Sequence, residues 1–186
     1  VLPKGSIFDG PFGSDLKTAD YTSSGVRVIR LENIGRLKFF DEKESYISNE
    51  KYQSLIRHTV GEGDIIFASF IIDEIRVCVL PELKTKAIAK ADCFCIRPDK
   101  NIDPQFLILQ LASQRAYNYL SGEIHGVTRP RINTTQLKKM KVYIPKIEEQ
   151  KTIVKRVKHL FGQLDQIEKH YDKVKNYTDK LEQSIL

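Results

Sequence analysis

Apolar positions fall into two regimes along this chain. After Ile147 they recur at alternating steps of four and three, at Ile153, Val157, Leu160, Leu164, Ile167, Tyr171, Val174, Thr178, Leu181 and Ile185. That spacing is a heptad seam. With Val157 at position a, Lys158, Asp165, Asp172 and Asp179 fall at b and Gly162, Lys169, Asn176 and Gln183 at f, so the outer face is polar. A helix from about Glu148 to the end runs roughly 58 Å at 1.5 Å per residue, longer than a domain built from the remaining residues is wide. It is expected to project and to pair, because no other segment predicts a helix of comparable length. The expected partner is the same helix in a second copy or an equivalent helix in a neighbouring chain, with Thr178 as a polar seam residue that helps fix register. The competing reading, an amphipathic helix lying back on its own domain, is opposed by that length.

Before the helix, apolar residues come in short alternating or continuous runs. Val26, Val28, Ile29 and Leu31 alternate with Arg27 and Arg30 as a strand does, Asn33-Ile34-Gly35 follows as a turn, and Leu37 to Phe40 is its expected hairpin partner. Ser48 or Asn49 caps a short helix reaching His58. Ile65 to Ile72 and Ile75 to Leu80 read as buried strands joined at Asp73-Glu74, and Asp92 to Arg97 as a third that Pro98 stops. Asp103 before Pro104 opens a helix from Gln105 to Leu120 that ends at Gly122. Asn133 or Thr134 starts a short helix over Leu137 and Met140, and Lys141 to Ile144 reads as a strand ended by Pro145. The expected fold is α/β of the α+β type: one mixed globular domain at 1–146 followed by a long pairing helix at 147–186.

Composition narrows the class. With 41% hydrophobic and 29% charged residues and no apolar run near membrane-spanning length, a soluble cytoplasmic protein is expected. Cys78, Cys93 and Cys95 lie in strand-like runs without finger-type ligand spacing, so they read as small buried hydrophobes in a reducing compartment. The net charge of +6 is concentrated: residues 121–146 carry Arg129, Arg131, Lys138, Lys139, Lys141 and Lys146 against Glu123 alone. Such a patch is either a solvated loop or a contact with a polyanion. The turn-rich segment Gly5 to Gly13 lacks the Gly-Lys-Ser/Thr ending of a nucleotide loop. A loose nuclease pattern, Asp64 with Glu82 and Lys84, would place two carboxylates on a metal with a lysine beside the water. No serine has a nucleophile-elbow context and His58, His125, His159 and His170 are scattered, so the chain reads as non-catalytic.

Gly10-Pro11-Phe12-Gly13-Ser14-Asp15-Leu16-Lys17, then Tyr21, Gly25 and Val28-Ile29-Arg30, closely resemble the start of a target-recognition domain of type I restriction-modification specificity subunits. Gly63-Asp64-Ile65-Ile66 is similar to that family's central strand. The clearest match is Gly126-Val127-Thr128-Arg129-Pro130-Arg131-Ile132-Asn133, followed by Leu137, Ile144-Pro145, Glu149-Gln150 and Ile153-Val154 entering the helix. Together these cover nearly the whole chain in the family's order. One departure is that Phe70 to Asp73 lacks the glycines often found after the central strand.

The resemblance implies a DNA-recognition domain whose helix pairs antiparallel with its counterpart. Full-length members carry two such units, each reading half of a split site, so this chain is expected to be part of a longer subunit or a half-length subunit that pairs. It implies double-stranded DNA as ligand and modification (methyltransferase) and restriction (motor-nuclease) subunits as partners. No cofactor is expected on this chain, with S-adenosylmethionine, ATP and Mg expected on the partner subunits. Arg129 and Arg131 can fork onto guanine O6 and N7, and Thr128 or Asn133 can meet a thymine methyl or adenine. Lys138 adds a phosphate-seeking charge, and Ser14, Lys17 and Tyr21 belong to a loop that the resemblance puts near DNA. The helix would act as a ruler between half-sites. The rival classes are a coiled-coil assembly protein whose basic patch binds an acidic protein surface, and the metal-dependent nuclease.

Overall fold

The continuous apolar runs become strands with both faces buried, and each face serves a different core. In the computed structural model, which describes residues 5–123 and 130–185, the strands are β1 (Ile7–Phe8), β2 (Tyr21–Thr22), β3 (Val26–Ile29), β4 (Tyr46–Ile47), β5 (Thr59–Val60), β6 (Ile65–Ala68), β7 (Val77–Val79), β8 (Ala87–Ala89) and β9 (Cys93–Ile96). They form two sheets. The first, ordered β1-β9-β6-β7, is antiparallel throughout. The second, ordered β2-β4-β3-β8-β5, is antiparallel except between β3 and β8. The helices are α1 (Asn49–Ser54), α2 (Pro104–Leu111), α3 (Gln114–Gly122), α4 (Thr134–Lys139) and α5 (Ile147–Ile185).

The period of two sorts the strand residues into layers. Ile65, Phe67, Val77, Phe94 and Ile96 pack with Leu107, Ile108 and Leu111 of α2, Ala116 and Leu120 of α3, and Leu137 of α4. Their neighbours Ile66, Ala68, Cys78, Cys93 and Cys95 turn to the second sheet and meet Ile29, Val60, Ala87 and Ala89. On that sheet's far side Val26, Val28 and Ile88 pack with Leu16, Ile47, Tyr52 and Leu55. The layering is therefore helices, sheet, sheet, then α1 with the Leu16 loop. A one-residue slip in β6 or β9 would exchange two cores at once, which pins the register. The three thiols are free and buried between the sheets, and burial pushes Cys78 up to about 12, so they stay protonated and pack as apolar groups.

The structure changes several of the expected elements. The helix expected over 105–120 is two, because Ser113 breaks it: its Oγ donates to Gln110 O (2.7 Å) and accepts from Ala116 N (3.2 Å), closing α2 and capping α3. Ser48 does cap α1, accepting from Lys51 N, but the helix ends at Ser54 and a separate 3-10 turn covers Ile56–His58. Leu37 to Phe40 is not the partner of β3, which lies between β4 and β8. That segment folds on itself through Gly35 N to Lys38 O, with Leu37 at a φ of 60°. Lys141 to Ile144 forms no strand; Val142 and Ile144 are held by side-chain packing against the helix-covered core instead of by a ladder.

The chain divides into two compact units, Val1–Ile144 and Pro145–Leu186. In the second, Gln150 is fully buried and its Nε2 donates to Pro145 O (2.7 Å), fixing the start of α5, while Glu148 and Glu149 complement the helix dipole. Farther along, seam residues Leu160, Leu164, Ile167, Tyr171, Val174 and Leu181 are all at least half exposed in the single chain. Apolar stripes left exposed over such a length are the kind of surface on which proteins associate. Val157 is half-buried, and Thr178 Oγ1 donates to Val174 O (3.1 Å). Ile185 ends α5, and Leu186 lies outside the described residues.

Candidate nucleic-acid interface

Because β3 and β8 run parallel, both deliver their last residues to the same end of the first unit, and Lys90 N donates to Ile29 O there (2.9 Å). The antiparallel pair β6 and β9 brings Ser69 and Asp92 to that end as well, joined by Ser69 N to Asp92 O (2.9 Å). The glycine-proline loop closes over it. Ala91 N donates to Pro11 O (3.2 Å), and a Cβ on Gly10 would overlap the backbone of Ala89 and Lys90. Gly10 is therefore required by a close approach of two backbone segments. Leu16, only 2% exposed, anchors the loop's far end in the third core, so Phe12, Ser14 and Lys17 stay on the surface.

Asp9 and Asp92 tie the loop to the strand ends. Asp9 Oδ1 accepts from Gly10 N (2.7 Å) and Asp92 N (3.0 Å), and Asp92 Oδ1 accepts from Ser69 Oγ (3.0 Å). Asp92 holds a φ of 69°, a left-handed conformation that aspartate tolerates better than most residues. Its carboxylate also faces Arg131 Nη1 at 3.5 Å. The backbone fixes the same arrangement from the other side, through Ile132 N to Ser69 O (3.0 Å) and Ile71 N to Pro130 O (3.1 Å). The turn after the central strand thus takes its shape from the 130–132 segment, with Phe70 bridged to Arg131.

Burial, reinforced by the nearby Asp92 and opposed by the backbone donors and Arg131, pushes the Asp9 carboxyl up to about 6. An aspartate raised above its unfolded value near 3.9 favours the folded state only while protonated, so stability falls as pH rises from about 4 to about 6. Asp9→Asn keeps the accepting oxygen and removes the charge. The variant is expected to melt a few degrees above the parent at pH 7.5 and to lose that advantage below about pH 4. Paired thermal melts across that range test the assignment, and an advantage that grew towards acid would refute it.

The sequence-derived site residues do not all meet. Ser14, Lys17, Tyr21 and Arg131 are at or beside the loop-covered end, whereas Thr128 and Arg129 lie outside the described residues. Asn133 caps α4: its Oδ1 accepts from Gln136 N (2.9 Å) while Gln136 Oε1 accepts from Asn133 N (2.8 Å), so its amide oxygen is already engaged. Lys138 is in the last turn of α4 and borders a groove with Ile7 and Ile96, towards the opposite end of the first sheet. Two further cations, Arg30 and Lys90, stand side by side at this end. Arg30 ends a visible strand pattern, but the three-residue β8 that aligns Lys90 beside it has no periodicity long enough to detect.

The nuclease arrangement does not form at Asp64. Its carboxylate is buried against Arg97 (Nε to Oδ1, 3.0 Å; Nη2 to Oδ2, 3.1 Å) and accepts from Gly61 N (3.0 Å). Glu82 and Lys84 are exposed on the segment after β7. Among the described residues no group of three or more His, Cys, Asp or Glu side chains is gathered as a metal would need.

A two-sheet domain with a helical cover, a glycine-loop end bearing Arg131 and an appended seam-bearing helix defines the class. The chain belongs to the type I restriction modification DNA specificity domain family, whose model matches residues 15–176. It is 28% identical over 188 residues to the type I restriction enzyme MjaVIII specificity subunit of Methanocaldococcus jannaschii, covering 95% of this chain and 44% of that protein. It is 31% identical over 172 residues to the EcoBI specificity subunit of Escherichia coli (92% of this chain, 36% of that one) and 25% identical over 167 residues to the EcoKI specificity subunit of Escherichia coli K12 (87% and 36%). A chain from a structural study of the assembly and conformational transition of the type I R-M system shares the fold, with a TM-score of 0.68 at 17% identity, over 100% of this chain and 45% of its own length. This chain thus spans less than half the length of these relatives. No helix among the described residues is long and apolar enough to cross a membrane.

Proposed function

We propose that this chain reads one half of a split DNA target as all or part of the specificity subunit of a type I restriction-modification complex in the cytoplasm. It performs no catalysis itself. Methylation and cleavage are carried by the modification and restriction subunits, which hold S-adenosylmethionine, ATP and Mg, and α5 pairs along its seam with an equivalent helix. The observation that carries this reading is the convergence of the Gly10–Lys17 loop and the Arg131 segment on one end of a DNA specificity domain, fixed there by Asp9, Asp92 and Ser69. Phosphate contacts from lysines would set affinity and register, and the arginines would read base edges.

Sequencing adenine methylation in a host that expresses the subunit containing this chain with its modification subunit gives the target. A split motif that changes when this chain is exchanged supports the reading; a motif indifferent to it does not. A bidentate arginine–guanine pair discriminates by about 1–3 kcal/mol, so Arg129→Ala with Arg131→Ala is expected to weaken target binding by at least about tenfold and to relax the motif at one or two positions. An unchanged affinity and motif would remove both arginines from the readout.

A further inference from the structure

Tyr21, Arg30 and Lys90 form a cluster that the readout described above does not use. In the parallel pair, Ile29 aligns with Ala89, so Arg30 and Lys90 leave neighbouring strands side by side. Alternation turns both away from the core between the sheets, towards the face carrying Val28 and Ile88, where Tyr21 packs. The Tyr21 ring receives both: the Arg30 guanidinium lies 5.7 Å and the Lys90 ammonium 5.4 Å from its centroid. Arg30 is partly balanced by Glu32 (3.4 Å) and Ser45 Oγ (3.3 Å). Among the described residues no carboxylate lies within ion-pair distance of Lys90. The Tyr21 hydroxyl is buried and has no hydrogen-bond partner among them.

Two cations held beside each other repel, and a ring quadrupole offsets only part of that repulsion. An anion between them offsets the rest. The ring cannot at the same time stack on a base, since cations occupy it and its hydroxyl faces inward. Lys90 is also two residues from Asp92, which faces Arg131. A duplex presented to Arg131 therefore brings its backbone past Lys90. Resting on the DNA-reading function proposed above, we propose that Lys90 and Arg30, mounted on the Tyr21 ring, clamp one backbone phosphate of the DNA whatever its sequence. Tyr21 is then a positioning residue that does not touch a base.

The test uses the complete specificity subunit with its modification subunits and two duplexes, one carrying the motif found by methylation sequencing and one scrambled. A phosphate contact contributes about 0.9 to the slope of log affinity against log salt and is indifferent to sequence. Lys90→Gln is expected to reduce that slope by about 0.9 on both duplexes, to weaken both equally at low salt, and to leave the methylated motif unchanged. Tyr21→Phe is expected to behave as the parent and Tyr21→Leu as Lys90→Gln. An unchanged slope in Lys90→Gln, while the parent still prefers its target, overturns the clamp and leaves the reading of function intact. An altered base preference in Lys90→Gln makes Lys90 a base reader and also overturns the clamp. A parent complex that does not prefer its own motif overturns both.

Discussion

Gly10→Ala is expected to destabilise the first unit by about 3 kcal/mol, the upper part of the range for forcing extra atoms into packed structure. For a protein of this size that corresponds to a fall of roughly 6–12 °C in Tm. The new methyl would overlap the main chain of Ala89 and Lys90, which cannot swing aside as a flexible side chain can. Relief requires either lifting the loop or breaking the β3–β8 edge, whose last bond is Lys90 N to Ile29 O. Either route moves Asp9 off the Asp92 amide, so DNA binding is expected to fall with stability. Gly13 in the same motif supplies the control: open space surrounds its Cβ position, and Gly13→Ala is expected to stay within about 0.5 kcal/mol of the parent. Urea unfolding of the two variants separates these cases. Equal stability would mean that the loop yields without cost and that Gly10 is not a packing glycine.

The contrast between Gly10 and Gly13 also shows where sequence reading stops. The motif was visible as a turn-rich loop, and its resemblance to a family was specific, but the partner that makes Gly10 necessary comes from β8, far along the chain. Strands with a continuous apolar run were legible, and β6, β7 and β9 lie inside the runs expected. The short strands outside such runs are not legible, because β1, β2, β4, β5 and β8 are defined by what they pair with and carry no period of their own. A helical period continued through Ser113, so a break made by one hydroxyl looked like a single helix. The candidate site fared similarly. Arg131 stands out by its chemistry and the loop by its resemblance to a family, while Asn133 reads both as helix start and as base contact, of which its hydrogen bonds support the first. Asp9, Asp92 and Lys90 are ordinary charged residues until the two sheets bring them together.

Phe94→Ala is expected to cost about 3–5 kcal/mol, the range for truncating a buried aromatic side chain. Phe94 and Phe67 are neighbours on paired strands, both at most 2% exposed, with rings parallel to within 6° and centroids 6.3 Å apart. Truncation leaves a cavity between the first sheet and its helical cover, which α2 cannot fill without losing its own packing against β7. Against a total of about 5–15 kcal/mol for an ordinary domain, that loss is a large fraction of the folding free energy. Phe67→Ala should cost a similar amount. The double variant should cost less than the sum, because the second truncation enlarges an existing cavity and the ring pair is lost only once. The methylated motif should nevertheless stay the same in whatever fraction folds. Phe94 faces the helix-covered core, whereas the loop end is held by Asp9, Asp92 and the backbone of Lys90. A shifted motif in Phe94→Ala would show that the helical layer sets base choice, and would move the specificity determinants from the loop end to α2 and α3.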